Sequence, residues 1–294
     1  MKDPLLDPVA PSRERKTVDF RNLGMNDIIV LGRYDYTHAH QKLPRHSHGN
    51  YFEFCLLDEG VQPFRVDDTE YILKGGDVLV IRPFRNHGSG PNPENRGRFY
   101  WCILKVPEDG KRFLNLPPPE SKDILEALLS ISSPHFKGNR HLKHYLEKVF
   151  EAYEGGEICR RVEIRSWILR FILDIIKDER RHTGGGISPM MAAIQDYIDS
   201  HLLDERMPLS KIARRSGLSL SHFKARFKEE VGVSPGNYII LRKIEQAKSL
   251  LKTTPRSVTE IAMELGFSTS QYFATTFKRY TGVPPSLFRE QDVQ

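Results

Sequence analysis

Residues 209–238 read LSKIARRSGLSLSHFKARFKEEVGVSPGNY, and residues 258–288 read VTEIAMELGFSTSQYFATTFKRYTGVPPSLF. The two stretches are copies of one pattern. Ile212-Ala213 and Gly217 in the first answer to Ile261-Ala262 and Gly266 in the second. After one inserted residue, Phe223, Phe227, Lys228, Gly232 and Pro235 answer to Phe273, Phe277, Lys278, Gly282 and Pro285. A pattern repeated over that length marks one supersecondary unit used twice.

Each copy predicts two short helices around a turn. In the first, Leu209, Ile212, Ala213 and Ser216 keep the i, i+3, i+4, i+7 spacing of a helix with one inward face. Gly217 supplies the positive φ that ends it. Ser219 is the expected cap of the next helix, because its hydroxyl can accept an orphan amide hydrogen of the first turn. There Leu220, Phe223 and Phe227 share the inward face, leaving Ser221, Lys224, Ala225 and Lys228 outward. In the second copy Ile261, Ala262 and Leu265 make the first stripe, Gly266 turns the chain and Ser268 is the expected cap. Phe273 and Phe277 go inward there, and Gln271, Ala274, Thr275 and Lys278 point out.

A short helix, a glycine turn and a second helix with a small, polar and basic outer face describe a helix-turn-helix. Two plain helical hairpins are the alternative. Helical solenoids need three or more units, however, and outer faces rich in Lys and Arg suit phosphate. Between the copies, from Pro235 to Lys252, the stripe Tyr238, Leu241, Ile244, Ala247, Leu250 and Leu251 predicts one helix. At 1.5 Å per residue it spans about 25 Å, a separation comparable with one turn of DNA.

This arrangement resembles the DNA-binding domain of the AraC/XylS family of bacterial transcription regulators. The family's signature for the second unit is matched by Gly266-Phe267, Tyr272-Phe273, Phe277-Lys278, Gly282, Pro285 and Phe288-Arg289. The resemblance implies a DNA-contact set of Ser219, Ser221, His222, Lys224, Ala225 and Lys228 on the first recognition helix. On the second it implies Ser268, Ser270, Gln271, Ala274, Thr275 and Lys278. The family's usual Arg on each recognition helix is missing, with Ala225 and Thr275 in those places. The operator therefore does not carry over from relatives. The resemblance further implies promoter DNA and RNA polymerase as partners, a homodimer, and activation of transcription.

The remainder of the chain has a different character. Its 294 residues suffice for two domains, and a net charge of +6 is too modest to prove nucleic-acid binding by itself. Cys55, Cys102 and Cys159 are far apart and form no C-x-x-C, which fits a reducing cytoplasm. The first twenty residues are polar and proline-punctuated, without the apolar region of a signal peptide. No apolar run is long enough to cross a bilayer, so no membrane partner is expected. There is no phosphate-binding glycine loop, since Gly184, Gly185 and Gly186 lack the Lys and the strand that such a loop needs. Nothing marks a nucleophile elbow either, and no residue is assigned a catalytic role.

From Ile28 to about Val106 the pattern is that of strands. Runs such as IIVLGRY, YFEFCLL, EYIL, DVLVI and RFYWCIL are separated by Gly, Asp, Asn and Pro, which suggests a small sandwich or barrel. Within it His46 and His48 alternate, so an extended chain puts them on one side. Glu53 and Gly60 follow, and GGDVLVIRPFRNH later places Gly76, Pro83 and His87. These spacings resemble the two motifs of the cupin barrel. That resemblance implies His46, His48, Glu53 and His87 as ligands of a divalent metal, Fe(II), Mn(II), Ni(II) or Zn(II). Arg82 and Phe84 depart from the cupin pattern. The alternative is a pocket in which His46, His48, Glu53, Arg82 and His87 contact a small-molecule effector directly, commonly a sugar in regulators of this kind.

From about Pro117 to Arg181 the period changes. ESKDILEALLSI, RHLKHYLEKVFEAY and RRVEIRSWILRFILDIIKDERR read as three helices. The last carries a broad stripe of Ile164, Ile168, Phe171, Ile172, Ile175 and Ile176, packed either on the barrel or on a second subunit. The expected fold is thus α+β in two domains. Residues 1–20 are disordered, 21–116 form a cupin-like sensor barrel, and 117–182 form a helical dimerisation segment. Residues 183–188 are a glycine-rich linker, and 189–294 are an all-α double helix-turn-helix. The expected function is that of a cytoplasmic, effector-controlled transcription regulator and not an enzyme. Two alternatives stay open: a cupin metalloenzyme fused to a DNA-binding domain, and an architectural DNA-binding protein with a vestigial sensor.

Overall fold

The computed structural model describes residues 9, 12–107, 112–155, 158–182, 188–203 and 208–290. The chain divides into two compact units. One contains Met1–Tyr36, Lys42–Pro91 and Gly97–Gly185, and the other Thr37–Gln41, Asn92–Arg96 and Gly186–Gln294.

The first unit is built on an antiparallel sheet of eight strands: β1 (Arg15–Asp19), β2 (Ile28–Tyr36), β3 (Tyr51–Val66), β4 (Thr69–Lys74), β5 (Asp77–Ile81), β6 (His87–Gly88), β7 (Gly97–Lys105) and β8 (His135–Lys137). Their order is β1-β2-β7-β3-β5-β8, with β4 and β6 both paired to the long strand β3. Successive side chains of a strand point to opposite faces, and here both faces are apolar. Phe52, Phe54 and Leu56 of β3 join Tyr100, Cys102 and Leu104 of β7 in one core. Cys55 and Leu57 of β3 join Phe99, Trp101 and Ile103 of β7 in another.

Three helices, α1 (Pro118–Leu129), α2 (His141–Gly155) and α3 (Arg160–His182), cover the first face. The stripe Ile164, Ile168, Phe171, Ile172, Ile175 and Ile176 is buried in that core, so of the two expected partners it is the sheet that takes this face. The second face is inner and aromatic. Tyr34 stacks on Tyr36 at 4.1 Å and on Phe99 at 5.4 Å.

Two sequence expectations need correction in this unit. Residues 1–20 were expected to be disordered, yet Arg15–Asp19 pair with β2 as an edge strand. Arg15 explains why. It is 3 % exposed, lies 4.5 Å above the Trp101 ring and donates to the Tyr36 hydroxyl at 2.9 Å, so its charge is spread over an aromatic wall. The stretch from 117 to 182 is also not purely helical, because His135–Lys137 form β8 against β5. A strand of three residues is too short to show a period of two.

The second unit is helical: α4 (Pro189–Ser200), α5 (Leu209–Arg215), α6 (Leu220–Val231), α7 (Pro235–Thr253), α8 (Val258–Glu264), α9 (Ser270–Thr281) and α10 (Pro285–Glu290). Each duplicated stretch yields a short helix, a turn and a longer helix, with α7 between the copies as expected. Gly217 and Gly266 take φ of +69° and +65°, the left-handed geometry that ends α5 and α8. Of the proposed glycine linker, 183–188, residues 183–187 lie outside the described residues. Ser188, at its edge, caps α4 by accepting from the Met191 amide. Among the described residues, no helix is long and apolar enough to cross a membrane.

The inner face of the sheet depends on a glycine whose role no spacing shows. Gly32 on β2 pairs directly with Trp101 on β7, and the indole lies over it. A Cβ at Gly32 would fall 2.0 Å from the ring carbon Cζ2 of Trp101. Gly32→Ala should therefore displace Trp101 and with it Arg15. Urea unfolding of the variant should show a loss of about 1–3 kcal/mol, the usual range for overpacking a tight core. An unchanged midpoint would mean that the indole has room to move.

Candidate functional site

The helical unit carries two outward faces of the same construction. Phe223, Phe227 and Val231 of α6 are buried, and so are Phe273, Thr276, Phe277 and Tyr280 of α9. Fixing those faces inward leaves Ser221, His222, Lys224, Ala225 and Lys228 exposed on α6, with Ser219 exposed at its cap. On α9 Gln271, Thr275 and Lys278 are exposed, and Ala274 and Ser270 are half-buried. Leu220 departs from expectation. It occupies the first position of α6 and is 39 % exposed, although it shares the face of Phe223 and Phe227.

The caps set where each recognition helix begins. Ser219 accepts from the His222 amide at 3.4 Å, as its position in the sequence predicts. In the second copy the cap is Thr269 and not Ser268, with the hydroxyl 3.0 Å from the Tyr272 amide. The inserted residue is the cause. It lengthens the turn after Gly266 by one position and moves the start of α9 from Ser268 to Thr269; Ser268 stays exposed in the turn. The signal was available, since the copies align on Phe223 and Phe273 only after that insertion. Phe267 fills the longer turn by packing against Phe273 with ring centroids 5.1 Å apart.

A second constellation lies on the inner face of the sheet. Glu53 sits opposite Ile81 of β5 and Ile103 of β7, at the middle of the sheet. Just before β3, His46 forms a bridge with His87 of β6, each backbone amide donating to the other's carbonyl. This bridge puts the two rings together, 4.3 Å between centroids, and His48 two residues on closes the group. One ligand atom from each of His46, His48, Glu53 and His87 lies within 4.8 Å of all the others. His48, Glu53 and His87 are buried, and His46 stands at the solvent side.

Four of the five pocket residues expected from sequence are therefore brought together. Arg82 is the exception. It follows Ile81, which faces the inner core, so alternation sends its side chain to the helix side, where it donates to the carbonyl of Ile131. Cys55, which no motif singled out, lies beneath the group with its thiol 3.5 Å from Glu53 Oε1. Burial and the nearby Glu53 carboxylate push the Cys55 thiol well up, so it stays protonated. Burial alone would raise the Glu53 carboxyl too. The facing His87 and His48 rings outweigh burial and hold it well below the usual carboxylate range. Burial and the neighbouring His87 lower the pKa of His46.

Comparison with known proteins gives two family matches. A helix-turn-helix domain family matches residues 212–291, and an AraC-like ligand binding domain family matches residues 29–163, the span holding all four clustered residues. The chain is 26 % identical over 228 residues to the arabinose operon regulatory protein of Escherichia coli, covering 75 % of this chain and 74 % of that protein. It is 37 % identical over 117 residues to the transcriptional activator AarP of Providencia stuartii, covering 40 % of this chain and 85 % of the relative. It is 22 % identical over 283 residues to the transcriptional activator RhaS of Klebsiella pneumoniae, covering 93 % and 96 %.

The shifted cap can be checked directly. Thr269→Ala should cost about 1 kcal/mol of stability, the usual loss for an N-cap hydroxyl, while Ser268→Ala should stay within about 0.5 kcal/mol. Equal losses in thermal melts of the two variants would return the cap to Ser268.

Proposed function

This chain belongs to the AraC family of transcription regulators, and from that premise we propose how its two units divide the work. The helical unit reads promoter DNA through α6 and α9, and the sheet unit holds a small-molecule effector that controls it. The observation that carries this reading is the pair of recognition faces, each fixed by a buried aromatic pair, a capping hydroxyl and a left-handed glycine. Lys224 and Gln271 are the long polar side chains aimed outward, so they meet base edges. Lys228 and Lys278 meet phosphate. Ser219, Ser221, His222, Ala225, Ser268, Ser270, Ala274 and Thr275 complete the two surfaces. Helix α7, 19 residues long, spans about 28 Å and supports a spacing near one turn of DNA.

The effector site is the cluster of His46, His48, Glu53 and His87. A relative that regulates the arabinose operon supports a sugar-class effector, since imidazole and carboxylate groups both hydrogen-bond hydroxyls. Relatives named as activators support activation, with RNA polymerase as the partner on the promoter, and a cytoplasmic place of work. The matched relatives are transcription regulators, which supports a sensor without turnover at this cluster.

The protein acts as a homodimer on this reading, through the outer face of α3. Val162, Ser166, Leu169 and Leu173 follow a heptad-like spacing along one flank of α3; Val162 is 68 % exposed, while Leu169 and Leu173 are half-buried at the edge of the core. Val162→Glu should shift the protein from dimer to monomer in sedimentation experiments. A wild type that is already monomeric at micromolar concentration would remove the dimer.

The DNA assignment is tested on an operator selected by the protein from random duplexes. Gln271→Ala should lose about 1–3 kcal/mol on that operator and relax its preference at one position. Lys278→Ala should weaken selected and random DNA alike and lower the salt slope by about one. Equal losses on both kinds of DNA for Gln271→Ala would take Gln271 off the bases.

A further inference from the structure

We infer that Phe84 determines the specificity of the effector site, as an aromatic platform on which the C–H face of a sugar ring rests. This deepens the effector reading above and rests on it.

Two features of Phe84 are costly for a phenylalanine. Its backbone is left-handed, with φ of +63°, where a Cβ crowds the chain and glycine is the natural occupant. Its side chain also stands in water, since the residue is 70 % exposed. Leu114 shares the first feature at φ +51°, but its side chain is buried in the core, and packing there offsets the strain. Phe84 gains no such burial.

The backbone of Phe84 has a clear role. Its amide donates to the carbonyl of Gly49 at 2.7 Å, and Gly49 directly follows His48. One residue on, the carbonyl of Arg85 accepts from His87 Nδ1 at 3.0 Å. Asp67 pins the same loop from the other side, accepting from the Asn86 amide at 3.1 Å and from the Arg85 guanidinium at 3.0 Å. The turn at Phe84 thus ties the loop of His48 to the loop of His87, whose rings meet Glu53 at 3.2 and 2.7 Å. None of these bonds uses the phenyl group, and glycine would make the same turn with less strain. The ring is therefore unexplained by the fold, and it is fixed beside the cluster on a loop held from both sides.

The chemistry of a sugar matches this arrangement. Its hydroxyls suit the imidazoles and the carboxylate, which donate and accept hydrogen bonds. Its ring C–H groups form an apolar face, and the electron-rich face of an aromatic ring takes such groups while leaving water itself. The cluster alone would hold any ligand rich in hydroxyls. An aromatic platform beside it selects those that also offer a flat apolar face. An open-chain alditol carries the same hydroxyls without that face.

The test melts full-length protein with the common free pentoses and hexoses, L-arabinose among them, each at millimolar concentration. At least one should raise the melting temperature of the wild type, and its alditol should not. Without sugar, Phe84→Gly should melt at or above the wild-type temperature, because the left-handed turn is relaxed. In titration calorimetry it should bind the same sugar about tenfold more weakly or worse, the loss expected for an aromatic anchor. Phe84→Tyr, which keeps the ring, should bind as the wild type does. A sugar that binds Phe84→Gly as tightly as wild type, or Phe84→Tyr as weakly as Phe84→Gly, would overturn the platform and leave the effector reading standing. An alditol that binds as well as its sugar would do the same. So would a Phe84→Gly protein that melts well below the wild type, which would assign the ring to the fold itself. No stabilisation of the wild type by any of these sugars would remove the sugar-class effector and the platform together.

Discussion

Both faces of the central sheet are buried, and the rest of the first unit depends on that constraint. With β3, β5 and β7 sandwiched between two apolar layers, no polar residue can sit on these strands without a compensating partner. Glu53 is such a residue at the centre, 5 % exposed and flanked by Ile81 and Ile103 across the sheet. A carboxylate in that position must be matched by positive charge or lose its ionisation. The chain meets the requirement from outside the strand. The His46–His87 bridge closes the open end of the inner face and turns imidazoles onto Glu53. The cluster is thus where the charge of Glu53 is answered.

The same constraint explains the division of labour among the helices. The stripe on α3 had two candidate partners in the sequence, a barrel and a second subunit. The sheet needs cover on its outer face, and Ile164, Ile168, Phe171 and Ile172 supply it.

Much of this architecture was legible in the sequence, because periodicity reports burial directly. The duplicated helix pairs, the helix between them, the alternating strands and the three covering helices all follow from spacing. The convergence of His46, His48, Glu53 and His87 was legible from two motifs some thirty residues apart in the chain. The misses share a physical origin, in that each depends on a neighbour distant in sequence. Arg15 is ordered because Trp101 and Tyr36 receive it. Arg82 leaves the pocket because Ile131 offers a carbonyl on the other face. β8 exists only as an edge to β5. Thr269 is the instructive case, since its displacement follows from a one-residue insertion already visible in the alignment of the copies.

That insertion also bears on how the proposed DNA reading works. Two identical units would present the same chemistry twice and favour a repeated operator element. These units are not identical. The first offers Lys224, a cation suited to the acceptor atoms of guanine, and the second offers Gln271, an amide suited to the paired donor and acceptor of adenine. Their helices also begin differently, from a two-residue step after Gly217 and a three-residue step after Gly266. One 19-residue helix, α7, joins them, so on the proposed reading the two readers meet the duplex in the order of the chain. On the proposed reading a single chain therefore reads two different half-elements, because the amide is unsuited to sites chosen for the cation. On that reading the duplication made two helices of one kind, and divergence of their outward residues asks for a different base sequence under each.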